Sequence, residues 1–148
     1  MITLVIDTNI FFSAMYNKEG KERKILDLSI FSNKIRLFAP DIFWAEITRN
    51  LTSKLGYSES VIDELIAKFD IIEVPQKKYV QFAEKARSMI SHENDVAFVS
   101  TSLFLNCPIW SGNKAHFKQL RKSKEIIWFN TKELFDYLKE KGILIPDI

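Results

Sequence analysis

One cysteine, Cys107, stands in the whole chain, which rules out an intramolecular disulfide and a cysteine-built zinc site. Its scarcity leads us to expect a reducing, cytoplasmic setting. Histidine is almost as rare: there are two, His92 and His116, and the sequence gives neither a partner at metal-ligand spacing. No apolar run approaches the roughly 18–20 residues that a membrane span needs, and no charged leader with an apolar stretch opens the chain. The expectation is a protein made and kept in the cytosol, without membrane contact. Charge of one sign is also lacking. A net charge of +2 gives no global basic field, so any contact with a polyanion must come from local clusters. Linkers, low-complexity segments and internal repeats are absent as well.

What is present is an ordinary globular composition, 47% hydrophobic and 27% charged, with twelve phenylalanines that load the core. Its 148 residues suit one domain, expected over 1–148, and suffice to bury a substantial core. Thr3-Leu4-Val5-Ile6 is a short apolar run without polar alternation, the signature of a strand buried on both faces of a parallel sheet. Further strands are expected at 35–39, 71–74, 108–110 and 126–129. Between them, apolar residues recur at helical spacing: Phe43, Trp44, Ile47, Leu51 and Leu55 in one segment capped by Asp41, and others over 23–31, 58–69, 77–90 and 95–104. Asn130 with Glu133 three residues on has the capping-box spacing and starts a last helix. Strands alternating with helices predict an α/β fold, with helices on both faces of a parallel sheet of about five strands. Right-handed crossovers then bring every strand's carboxyl end to one edge, where ligands bind in such sheets.

Three acids fall at that edge. Asp7 follows the first strand, Glu46 borders the apolar stripe of its helix, and Asp95 opens a helix rich in small residues. Each also has a plainer explanation. Asp7 or Asn9 can cap the next helix, Glu46 can pair with Arg49 or be solvated, and Asp95 can be a simple N-terminal acid. Their shared position carries the information. Carboxylates that meet in one cleft repel, so they need a cation, and an oxygen-only donor set points to Mg²⁺ or Mn²⁺. The chemistry such a site supports is phosphodiester hydrolysis.

The chain resembles the PIN domain, a metal-dependent ribonuclease fold. The resemblance rests on Val5-Ile6-Asp7-Thr8-Asn9, on Glu46, on Asp95 followed by Val96-Ala97-Phe98-Val99, and on Trp110-Ser111-Gly112-Asn113 with Phe117 behind it. It implies a three-layer α/β/α sandwich around a central parallel sheet and endonucleolytic cleavage of RNA. It also implies an Mg²⁺ or Mn²⁺ pocket in which Asp7, Glu46 and Asp95 are the principal acids. By the same resemblance, Asn9 orients Asp7 and Ser111 is a supporting hydroxyl. Small prokaryotic members are similar to the toxin half of toxin–antitoxin pairs, often homodimeric with an antitoxin tail in the cleft. The family commonly has a fourth acid after the Trp-Thr/Ser segment, where this chain has Asn113; Glu93 is a candidate to supply the missing charge. That departure sustains the alternative of a degenerate scaffold that binds RNA or a protein without cutting it. Lys114, Lys118, Arg121, Lys122 and Lys124 form the densest basic cluster, and Lys18, Lys21, Arg23 and Lys24 a second. Either can hold RNA phosphates or be a solvated face.

Overall fold

In the computed structural model, residues 1–145 are described, and the last three residues of the expected 1–148 domain lie outside them. Five strands run in order along the chain: β1 (Ile2–Ile6), β2 (Ile35–Pro40), β3 (Ile72–Val74), β4 (Ile109–Trp110) and β5 (Trp128–Phe129). They form a single parallel sheet in the spatial order β3-β2-β1-β4-β5. The first strand is therefore central. Leu4, Val5 and Ile6 are wholly buried, as a run apolar on both faces requires. Strand order reverses between β1 and β4, which makes their carboxyl ends the switch point at which such a sheet opens a crevice.

Nine helices connect the strands among the described residues: α1 (Thr8–Tyr16), α2 (Lys21–Phe31), α3 (Ile42–Leu55), α4 (Glu59–Lys68), α5 (Gln76–Tyr79), α6 (Ala83–Met89), α7 (Val96–Leu105), α8 (Lys114–Phe117) and α9 (Thr131–Glu140). One group packs as α1 on α2 and α3, α2 on α9 and α3 on α4. The other centres on α7, which lies across β1, β2 and β4 and is covered by α5 and α6. That sandwiched position explains why α7 is buried around its circumference, with Val96, Phe98, Val99, Ser100, Thr101 and Ser102 all inside. Phe11, Phe43 and Phe69 meet edge-to-face in the core, with centroids 5.8 Å apart for Phe11–Phe43 and for Phe11–Phe69.

Local chemistry sets the ends of several helices. Gly56 stops α3 in the left-handed region (φ 68°), the Ser58 hydroxyl accepts from Val61 N, and Asn130 and Glu133 close a reciprocal capping box. Asp41 is different. It has helical dihedrals and no capping bond, because its carboxylate accepts the Tyr79 hydroxyl at 2.7 Å instead. The helix expected over 77–90 is divided by a 3-10 turn (Val80–Phe82), which no glycine or proline marks in the sequence. No helix of the described residues is long and apolar enough to cross a membrane.

Candidate active site

The sheet ladder builds the site from two adjacent strand ends. Asp7 N donates to Trp110 O at 3.0 Å, and Ser111 N donates to Phe129 O at 3.1 Å, so Asp7 and Ser111 emerge side by side from β1 and β4. The Ser111 hydroxyl, fully buried, donates to Asp7 Oδ2 at 2.7 Å, and Thr8 N donates to Asp7 Oδ1 at 2.8 Å. Asp7 thus does both jobs that the sequence left open: it is the N-cap of α1 and it opens onto the cleft. Burial pushes its pKa from 3.8 up to about 7; the Ser111 and Thr8 hydrogen bonds oppose this, while the charges of Asp95 and Glu46 add to it.

Asp7, Glu46 and Asp95 line one cleft of about 400 Å³. Glu46 comes from the second turn of α3, and its Oε2 accepts the Thr8 hydroxyl at 2.6 Å. Thr8 therefore couples Glu46 to Asp7, its hydroxyl donating to one and its N–H to the other, a role nothing in its sequence context announced. Asp95 ends a 3-10 turn (Glu93–Asp95) immediately before α7, and desolvation raises its pKa against the lowering effect of His116.

The remaining expected residues divide. Asn113 lines the cleft, yet its side chain is occupied as the cap of α8, accepting from His116 N at 3.3 Å. Asn9 lines it too, but its carbonyl accepts from Gly112 N at 3.4 Å rather than orienting Asp7. Glu93 does not supply the missing charge: it is exposed and held in the fork of Arg87, with an Nη2–Oε1 distance of 2.9 Å. Lys114 and Lys118 are exposed outside the cleft lining. Arg121 serves the fold. Its guanidinium stacks over the Trp128 ring (4.1 Å), donates to Trp128 O and pairs with Glu133. Arg23 is likewise buried, bonded to Asp27 at 3.1 Å and to Ala14 O at 3.4 Å, so the second basic cluster loses that member.

Two features escaped the sequence reading. Arg49, Asn50 and Lys54 line the cleft, from the face of α3 that carries Glu46; their i+3, i+4 and i+8 offsets from Glu46 were the available signal. Phe12, which the sequence offers as a base-stacking residue but favours for the core, lines the cleft as well, with Lys54 Nζ 5.3 Å from its ring centroid. Finally, His92 and His116 do have a partner. Each offers a nitrogen within 4.8 Å of an Asp95 oxygen and of the other's nitrogen, which corrects the expectation drawn from their spacing.

This geometry can be set against known proteins. No curated protein matches the chain. Among solved structures, VapBC2 from Rickettsia felis, bound to a DNA fragment from the promoter, is similar at TM-score 0.64 and 18% identity, over 87% of this chain and 98% of that one. DNA-bound VapBC from Salmonella typhimurium is similar at TM-score 0.64 and 13% identity, over 88% and 99%. A toxin–antitoxin complex from Klebsiella pneumoniae is similar at TM-score 0.56 and 15% identity, over 84% and 95%. At these identities the likeness speaks for the fold. Family membership rests on the sequence itself: residues 5–134 match the PIN domain, a span that begins in β1 just before Asp7, contains Glu46, Asp95 and Ser111, and ends in α9. The chain belongs to the PIN domain family.

Proposed function

We propose that the protein is a divalent-metal-dependent endoribonuclease whose cleft is built on Asp7, Glu46 and Asp95. The supporting observation is their convergence on one cleft, with Asp7 buried at the switch point of the sheet and its ionisation opposed by the other two. Such a donor set fits a hard, oxygen-preferring ion, Mg²⁺ or Mn²⁺, because the charges that repel in its absence become ligands in its presence. When bound, that ion supplies Lewis acidity and lowers the pKa of an attacking water. The chain's own groups fix the geometry. Ser111 holds one oxygen of Asp7 and Thr8 holds one of Glu46, while Arg49 and Lys54 at the rim bring positive charge to a phosphate backbone. The toxin–antitoxin complex among the structural neighbours supports a further proposal, a protein antitoxin as partner; a homodimer and a cytoplasmic setting belong to the same proposal through the resemblance alone.

The test is cleavage of a structured RNA pool by the purified protein. We expect internal cuts in Mg²⁺ or Mn²⁺ and none in EDTA. RNA binding without cuts in either metal would establish instead the non-cleaving scaffold, the reading that Asn113 in place of an acid favours.

Asn113→Asp probes the departure directly. An Asp retains the acceptor that caps α8, so the substitution adds charge to the cleft without removing the cap. The expected signature is a lower melting temperature in EDTA, from like-charge repulsion, with a larger upward shift on adding Mg²⁺ or Mn²⁺. Two melting curves that match the unsubstituted protein would remove Asn113 from the ligand set.

A further inference from the structure

The chain's two histidines, 24 positions apart, are stacked on each other beside Asp95. Their ring centroids are 3.5 Å apart and their planes lie 13° from parallel. His116 Nδ1 stands 2.8 Å from Asp95 Oδ2, yet both atoms are fully buried and neither has a directed hydrogen bond. They meet as a close ion-pair contact without hydrogen-bond alignment, so neither lone pair is well used. A cation satisfies both at once. Two ligands on a tetrahedral ion about 2.1 Å from each are about 3.4 Å apart, so this pair, at 2.8 Å, needs only a small opening to admit one.

We propose that His92, Asp95 and His116 form a second metal site, for a nitrogen-preferring divalent ion of the Zn²⁺ class. Two imidazoles and one carboxylate suit such an ion and not Mg²⁺, which takes oxygen ligands. Three protein ligands leave one tetrahedral position open, the arrangement of zinc sites that keep an exchangeable ligand. Parallel rings cannot both aim a lone pair at one ion, so binding turns one ring off the stack. His92 is the ring that turns: it is exposed, whereas His116 is half-buried in α8 against Asp95. The site depends on the ribonuclease reading only in that Asp95 serves both sets of ligands.

The test uses untagged protein, in which the imidazole resonances belong to these two residues alone. MgCl₂ at these concentrations should leave His92 unshifted and move His116 only through an ion at Asp95, whereas titration with ZnCl₂ should shift both rings and saturate at one equivalent. His92→Ala and His116→Gln should each weaken Zn²⁺ binding by at least about tenfold, more than Asp7→Asn does. A response to Zn²⁺ from one ring alone, or full Zn²⁺ affinity in His92→Ala, overturns the proposal. Because His92 is exposed, its variant tests the site without endangering the fold. Failure of RNA cleavage in Mg²⁺ and Mn²⁺ would leave these resonance shifts as they are, so the two readings fail separately.

Discussion

Asp7→Asn should lower RNA cleavage by at least about a hundredfold while making the metal-free protein more stable at pH 8. The two effects share a cause. Asp7 titrates near 3.8 in an unfolded chain and near 7 in the folded one, where burial disfavours its charge most of all. Between those values the native state holds a proton that the unfolded state has released. Its contribution to stability is therefore present at pH 4 and lost as pH rises through 7. An amide at the same position has no charge to bury. We expect the Asp7→Asn variant to gain about 2 kcal/mol or more at pH 8, roughly 5 °C in melting temperature for a protein of this size, and nothing near pH 4. Thermal melts of both proteins in EDTA across pH 4–8 measure it directly. Parallel curves at every pH would mean that Asp7 is not held in a charge-averse site.

Trp110→Ala should be the most damaging core substitution for the site. Trp110 is fully buried in β4, paired with Ile6 on one side and Phe129 on the other, and its indole N–H donates to the Thr131 hydroxyl at 3.1 Å. Truncation removes the transfer energy of the indole and leaves a cavity between sheet and helices, about 3–5 kcal/mol together. That is a large share of a typical domain's roughly 5–15 kcal/mol, and it should lower the urea midpoint by about 2 M. Trp110→Phe, which keeps an aromatic ring in the space, should fall between the two. An unchanged midpoint for Trp110→Ala would mean that β4 does not pack as described.

Much of this was readable before any coordinates because the deciding residues act locally. An apolar run as compact as Leu4 to Ile6 has few places to go except the middle of a parallel sheet, and Asp7 must follow it out. The capping box at Asn130 and Glu133 is a contact between near neighbours, and so is the glycine stop at Gly56. Glu46 was visible because helical phase puts it on the border of a buried stripe. Most of the failures are tertiary. Arg121 looks like any surface cation until Trp128 and Glu133 close around it. Arg23 gives no local sign that Ala14 O and the Phe69 ring will receive it. The two histidines become neighbours only because one precedes α7 and the other lies in α8, across the carboxyl edge of the sheet. A 3-10 interruption three residues long, at Val80–Phe82, disturbs apolar periodicity too little to be seen in it.

The hydrogen bond between Ser111 and Asp7 spans 104 positions of sequence, and β1 is flanked by β2, made early, and by β4, made late. During synthesis from the amino terminus, the edge of β1 that β4 covers stays open until residues 109–110 exist, and Asp7 has no Ser111 to hold it. An unfinished chain can carry Asp7 and Glu46 but cannot assemble the cleft around them. The site's construction thus acts as a timer. Whatever the cleft does, it begins only once residues 109–111 have been made and have closed against the first strand.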